Sequence, residues 1–191
     1  QKEDGNRWYC SLRYLTEERD HRKTRENLQA RLERDGQLDK NRLFYWWKAH
    51  LEEDRFRTWY RRFEGSSGLG YFLLRKAETP WKMDLQVLAG VGGTTTWGGE
   101  EETSSPELTP SIRWLWNFAE GQSLKARSDF FAVADNTADW RSRTEVNWEI
   151  SVKGSEHLKF RLGLENEYAS IPPPDRDSQT LRYTSGLIYD F

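Results

Sequence analysis

The chain has 191 residues, a length that suits one domain. Charged residues make up 31% of it, but aromatic residues make up 14% and include ten Trp, which argues against a disordered chain. The formal net charge of -2 gives no sign of a nucleic-acid partner. No run approaches the ~20 apolar residues that a membrane helix needs, so a helical membrane protein is excluded.

Ten runs of alternating apolar and polar residues predict β-strands, because a period of two places successive side chains on opposite faces of a strand. Most of the runs are longer than the ~5–6 residues of soluble strands, which suits a tilted membrane crossing. In chain order they cover residues 8–14, 28–32, 43–52, 59–73, 81–91, 112–118, 124–132, 140–152, 157–168 and 181–191.

The last two runs alternate most clearly, and the second of them ends on Phe191 of the apolar face. Strands with one apolar and one polar face throughout a chain predict an all-β fold whose outside is apolar and whose inside is wet. We therefore predict one domain over residues 1–191, an antiparallel up-and-down (meander) transmembrane β-barrel. It has about 10 strands, or 12 if an upstream hairpin is missing.

The predicted connections alternate in length, as expected when one barrel end faces the cell exterior and the other the periplasm. The long ones are residues 98–106 and 171–177, the medium one is 134–138, and the short ones are 76–80, 119–122 and 153–156. This alternation predicts that both termini are periplasmic. The glycines of residues 65–70 predict a bend or bulge in the fourth strand.

Two features favour a membrane barrel over a soluble ligand-binding barrel, which would place its apolar face inside. Trp residues concentrate toward the strand ends of the apolar face, where interfacial girdles lie: Trp8, Trp47, Trp59, Trp81, Trp140 and Trp148. Tyr189 and Phe191 form an aromatic-x-Phe ending, which resembles the signal that the outer-membrane barrel-assembly machinery reads. These features predict the outer membrane of a Gram-negative-type cell envelope.

The polar face of the strands then lines the lumen with charges of both signs. A barrel of this size is narrow, so we predict that long charged side chains pair across it and fill it. The predicted network consists of Arg31, Lys48, Arg62, Glu64, Lys82, Asp84, Arg113, Arg127, Asp129, Arg141, Arg143, Glu145, Glu149, Arg161, Glu165 and Arg182. A narrow polar or ion channel, porin-like, is the alternative.

Several motifs carry a family resemblance. They are Glu53-Asp-Arg-Phe56, the strand that ends in Gly68-Leu-Gly-Tyr-Phe-Leu73, and Asp84-Leu-Gln-Val-Leu-Ala-Gly-Val-Gly92. With the Tyr-x-Phe terminus, they resemble the DUF481 family of salt-induced outer membrane proteins over roughly residues 22–191. The resemblance implies an outer-membrane β-barrel and brings no established catalytic residues.

The sequence favours a non-enzymatic protein with a structural, envelope-stress or accessory-subunit role. His50 lies near Glu52, Glu53 and Asp54, and such a pair could act as a general base, but proximity is the only sign of it. We predict no catalytic residue, no cofactor and no metal, and the lone Cys10 excludes a cysteine-based metal site. The expected partners are outer-membrane lipid or lipopolysaccharide, the assembly machinery during biogenesis, and an outer-membrane protein complex.

Overall fold

Antiparallel β-strands are the only regular elements in the part of the chain that the computed structural model describes, namely residues 6–19, 22–39, 42–54, 60–76, 81–98, 102–152, 157–172 and 177–189. The strands are β1 (Asn6–Arg19), β2 (Arg22–Gln37), β3 (Leu43–Asp54), β4 (Arg61–Lys76), β5 (Met83–Trp97), β6 (Thr103–Leu108), β7 (Ser111–Ala119), β8 (Gln122–Val133), β9 (Trp140–Ser151), β10 (Leu158–Ala169) and β11 (Gln179–Tyr189). None of the described residues forms a helix long and apolar enough to cross a membrane.

The strands join one sheet in the order β1-β2-β3-β4-β5-β6-β8-β9-β10-β11, and β7 pairs with β5 and β8. β6 pairs with residues 91–96 of β5 and β7 with residues 83–88, so these two strands are consecutive parts of one pass of the chain. Thr109 and Pro110 separate them, since proline has no N–H for the ladder. The eleven strands thus correspond to the ten predicted passes. The predicted all-β, antiparallel barrel fold is confirmed.

The residues group into two compact units. Unit 1 comprises Gln1–Gly70 and Gly90–Leu108, and unit 2 comprises Tyr71–Ala89 and Thr109–Phe191. Strands β4 and β5 each contribute residues to both. The prediction of one domain over residues 1–191 stays a prediction.

In unit 1, strand β3 has the burial pattern that its sequence predicts. Phe44, Trp46, Lys48, His50, Glu52 and Asp54 are all buried, and every residue between them is more exposed. The polar parity is therefore the buried face and the apolar parity is the exposed face. Phe44 and Trp46 are the aromatic exceptions on the buried face, with 3% and 1% of their surface exposed.

These two buried rings occupy space that glycines leave on β4 and β5. A Cβ placed on Gly70 would lie 2.2 Å from the Phe44 ring, and one on Gly90 would lie 2.5 Å from the Trp46 ring. The indole Nε1 of Trp46 donates a hydrogen bond to the carbonyl oxygen of Leu69 at 3.1 Å. At least one glycine of the fourth predicted strand thus makes room for a ring, while a bend there stays a prediction.

We expect Gly70→Ala to lower the free energy of unfolding by ~1–3 kcal/mol, because the added methyl group overpacks the Phe44 ring. Denaturant titration followed by Trp fluorescence measures this loss. The matched control is Gly186→Ala in β11, where an added Cβ meets nothing within 4 Å. A second change, Phe44→Leu, should restore part of the lost stability, and equal effects of the two alanine variants would contradict the packing argument.

The structure changes one of the predicted long connections, and the alternation of connection lengths stays a prediction. The long loop predicted at residues 98–106 is shortened because residues 103–106 belong to β6. The tight turn at residues 119–122 is confirmed: Gly121 has a φ of 67° and its carbonyl oxygen accepts a hydrogen bond from Ser151 N at 2.7 Å. The predicted turn at 153–156 lies outside the described residues.

Candidate functional site in the buried charges

The described residues reverse the usual distribution of polar and apolar side chains. Only five hydrophobic side chains are buried, against fifteen polar or charged ones, and twenty-five large hydrophobic side chains are exposed. Strands such as β3 produce this arrangement because their polar parity is the buried one. Buried charges are costly unless they are paired, so their partners decide what this interior can do.

In unit 1, the carboxylate of Glu64 joins a histidine to an arginine. Its Oε2 lies 3.2 Å from Nδ1 of His50, and its Oε1 lies 2.8 Å from Nη2 of Arg62. The side chains of His50 and Glu64 are 8% and 6% exposed, so water reaches this pair poorly. Lys48 is also buried, and its Nζ lies 5.8 Å from the centre of the Trp46 ring.

An amide of β2 holds two buried carboxylates of β3. Asn27 Nδ2 donates to Glu52 Oε1 at 2.7 Å and to Asp54 Oδ2 at 3.4 Å, and Gln29 Nε2 donates to the same Glu52 oxygen at 3.4 Å. All three of Asn27, Glu52 and Asp54 are at most 2% exposed. Further along β2, Nε of Arg31 lies 2.5 Å from Glu33 Oε1. Cross-strand hydrogen bonds therefore satisfy part of this acidic cluster.

In unit 2, the register of the strands aligns charges in rows. One row crosses β7 to β11 through Arg113, Arg127, Glu145, Glu165 and Arg182. Paired residues of antiparallel strands point to the same face, so opposite charges in a row meet. At its end, Arg182 Nη1 donates to Glu165 Oε1 at 2.7 Å.

The adjacent row consists of Ser111, Asp129, Arg143 and Glu167. Arg127 and Arg182 of the first row contact acids of this second row. Ser111 Oγ donates to Asp129 Oδ1 at 2.6 Å, and Arg127 Nε lies 2.7 Å from Asp129 Oδ2. Arg143 Nε donates to Glu167 Oε1 at 2.9 Å, and Arg182 Nη2 donates to Glu167 Oε2 at 3.1 Å. Each of these arginines is thus tied to an acid on a neighbouring strand or two residues along its own.

A third cluster centres on Glu149 of β9. Its Oε2 lies 2.6 Å from Lys125 Nζ, and its Oε1 accepts hydrogen bonds from Arg161 Nη2 at 2.6 Å and Nε at 3.1 Å. The Glu149 side chain is 3% exposed, whereas those of Lys125 and Arg161 are 47% and 33% exposed. One buried anion therefore holds two cations that remain partly in contact with solvent.

Most of the predicted network residues are buried or half-buried, but not all of them contact one another. Lys48, Glu64, Asp84, Asp129, Glu149 and Glu165 are buried, and Arg31, Arg62, Arg113, Arg127, Arg141, Arg143, Glu145, Arg161 and Arg182 are half-buried. Lys82 is exposed and precedes β5. Arg141 lies with its Cζ 4.5 Å from the centre of the Phe131 ring. Of the predicted assembly signal, Tyr189 is 56% exposed and Phe191 lies outside the described residues.

Sequence reasoning missed several members of the interior. Asn27, Glu33, Asp54 and Glu107 are buried polar residues that the predicted network omits. For Asn27 and Glu33 the signal was present, since they alternate with Leu28 and Leu32 in β2. For Glu107 it was absent, because residues 98–106, directly before it, were predicted to be a loop.

The histidine that could have served as a general base has a different partner from the predicted ones. His50 contacts Glu64 of β4 and not the nearby acids of its own strand. Among the described residues no group of three or more His, Cys, Asp or Glu side chains could hold a metal ion. His50 and Glu64 lie at the distance of an ion pair.

Comparison with known proteins gives one family assignment. The family model for DUF481, described as a protein of unknown function, matches residues 1–191 and so extends beyond the motifs between residues 22 and 191. A search of the curated proteins finds no match. Since the match covers the whole sequence, the chain belongs to the DUF481 family.

Proposed function

We propose that this protein is an integral outer-membrane β-barrel with a charge-filled lumen and a non-enzymatic role in the envelope, either structural, stress-related or as an accessory subunit. The observation that carries the proposal is the inversion of polarity: fifteen polar or charged side chains are buried and twenty-five large hydrophobic ones are exposed among the described residues. Lipid is the solvent that favours this arrangement.

The energetic argument rests on apolar area. Each square ångström of apolar surface kept out of water is worth ~25 cal/mol, and soluble monomers rarely expose contiguous patches above a few hundred square ångströms. Leu12, Tyr183 and Leu187 alone are 74%, 78% and 68% exposed. A soluble ligand-binding barrel would bury this parity, so the burial pattern argues against that alternative.

The ion pairs support a closed lumen over a channel. Glu149, Glu165 and Glu64 each contact at least one cationic side chain within 3 Å. Neighbouring side chains therefore neutralise these carboxylates, which weakens their attraction for a passing ion. The buried rings of Phe44 and Trp46 add apolar surface to the same face, and apolar surface disfavours the passage of an ion.

Reconstitution into lipid vesicles tests both parts of the proposal. The purified chain should float with vesicles in a density gradient and resist extraction by carbonate, and planar bilayers that contain it should show no steady openings. A chain that stays in the aqueous fraction would refute the membrane location. Steady, ion-selective openings would instead identify the porin-like channel.

We expect Trp46→Ala to raise the frequency of openings in planar bilayers, because it removes a ring that is 1% exposed and lies on the buried face. The matched control is Trp47→Ala on the opposite face of the same strand, which should show no more openings than the wild type. Openings of the Trp47 variant alone would mean that the assignment of the two faces is wrong.

The proposed partners follow from the same location. They are outer-membrane lipid or lipopolysaccharide, the barrel-assembly machinery during biogenesis, and a protein complex in which this barrel is a subunit. Purification in mild detergent with mass spectrometry of co-eluting proteins tests the last of these. A stoichiometric companion supports a subunit role, and a barrel that elutes only with lipid supports a protein that acts alone.

A further inference from the structure

An arginine lies among aromatic rings on the exposed, apolar face of unit 1. Arg34 of β2 pairs in register with Trp8 of β1 on one side and with Trp47 of β3 on the other. Paired residues of antiparallel strands point to the same face, so the three side chains stand side by side. Trp8 is 60% exposed, which leaves this side of the cluster open.

Rings surround the guanidinium of Arg34 in a defined arrangement. Its Cζ lies 4.9 Å from the centre of the Trp8 ring and 5.9 Å from that of Tyr45, and the rings of Trp8 and Trp47 meet edge-on at 5.7 Å. The Tyr45 ring folds over Gly36, where a Cβ would come within 2.1 Å of it. The absence of a side chain at Gly36 therefore allows Tyr45 to lean toward Arg34.

No acid neutralises this cation within the described part of the chain. The contacts of Arg34 are with rings, and its Nε is buried without a hydrogen-bond partner. Arg61 gives the contrast: it also stacks on a ring, 5.3 Å from the centre of Tyr60, but its Nε lies 3.4 Å from Glu53 Oε2. A guanidinium on an apolar face without an acid is complementary to an anion from outside the protein.

We propose that Arg34, framed by Trp8, Tyr45 and Trp47, binds the phosphate group of an anionic phospholipid. The planar guanidinium can donate two parallel hydrogen bonds to phosphate oxygens. Aromatic residues concentrate at the level of lipid headgroups, and Arg34 lies close to the end of β2, which ends at Gln37. The proposal rests on the membrane location proposed above.

Lipid binding measured by native mass spectrometry of the refolded barrel tests the site, with dioleoyl phosphatidylglycerol and dioleoyl phosphatidylcholine as the two lipids. Both headgroups carry a phosphate, but the choline ammonium of the zwitterionic lipid repels the Arg34 guanidinium, so the wild type should bind the anionic lipid about tenfold more tightly. Arg34→Gln should abolish this preference. Arg34→Lys keeps the charge without the planar fork and should show an intermediate preference.

Arg61→Gln is the matched control, because it removes an arginine that already has an acid partner, and it should keep the full preference. Equal binding of both lipids by the wild type, or an unchanged preference in the Arg34→Gln variant, overturns the site. Full competition by inorganic phosphate at the same concentration would mean that a free anion is the ligand, which overturns the lipid assignment.

Vesicle flotation, carried out first, separates this site from the proposed function. A chain that does not associate with vesicles refutes both proposals at once. A chain that inserts but shows no preference for phosphatidylglycerol refutes only the Arg34 site. Because the comparison of two lipids on the wild type needs no variant, a misfolded Arg34→Gln protein does not remove the test.

Discussion

Replacing Glu149 with alanine should lower the free energy of unfolding by about 3 kcal/mol, which is among the largest effects we expect from a single change inside this protein. Glu149 is 2% exposed and contacts Lys125 Nζ and Arg161 Nη2, each at 2.6 Å. Its removal leaves two cations without their anion. The value lies at the lower end of the usual ~3–5 kcal/mol because the charged groups of Lys125 and Arg161 are partly exposed and water can solvate them.

Denaturant titration of the refolded protein, followed by Trp fluorescence, measures the loss. The control is Glu120→Ala, which changes the net charge equally at an exposed turn residue and should shift stability by less than ~0.5 kcal/mol. Replacing Lys125 and Arg161 with alanine together with Glu149 should recover much of the loss, since removing all members of a charged cluster leaves no orphan. A triple variant as unstable as Glu149→Ala would mean that Glu149→Ala destabilises the protein through lost packing and not through unpaired charges.

The alternation of β3 and β10 could be predicted from sequence because every second residue differs sharply in polarity. Phe160, Leu162 and Leu164 are each more than a third exposed and Glu165 is buried, as that pattern requires. A period of two fixes which face a residue takes, independent of where the strand begins or which strand lies beside it.

Strand β6 could not be predicted, because its sequence carries no such alternation. Residues 94–96 of β5 are all Thr, and β6 begins Thr-Ser-Ser-Pro, so both faces are polar. Hydroxyl contacts join the two strands instead: Thr96 Oγ1 lies 2.6 Å from Thr103 Oγ1, and Thr95 Oγ1 lies 3.3 Å from Ser104 Oγ. Such a ladder is specified by cross-strand pairing, which a single run of residues does not reveal.

The burial of the polar parity could be predicted, but the pairing of its charges could not. Parity puts His50 on the buried face, and the contact with Glu64 depends on how β3 and β4 align. The buried rings likewise have a predictable face but unpredictable neighbours. Phe44 and Trp46 share the polar parity, so their burial follows from the pattern, but the glycines that receive them lie more than twenty residues away in sequence.

The second large effect concerns the exposed face. We expect Leu162→Arg to prevent stable insertion into vesicles, at a cost of ~2–4 kcal/mol for an arginine near the middle of a lipid-facing strand. Leu162 lies within β10, is 41% exposed, and pairs with Trp148 and Ser185 on the neighbouring strands. The measurement is the folded fraction after transfer from urea into vesicles of decreasing lipid content, read from the heat-dependent shift in gel mobility.

The same substitution at Leu38 is the matched control. Leu38 is 53% exposed but follows the end of β2, so in the proposed membrane barrel an arginine there would lie near headgroups and should cost only ~0–1 kcal/mol. Lys159→Gln should also be mild. The comparison separates lipid from water as the solvent of this face, because in water an exposed Leu→Arg change is within ~0.5 kcal/mol of neutral at either position. Equal insertion of both Leu→Arg variants would therefore refute a lipid-facing exterior, whereas failure of Leu162→Arg alone would support it.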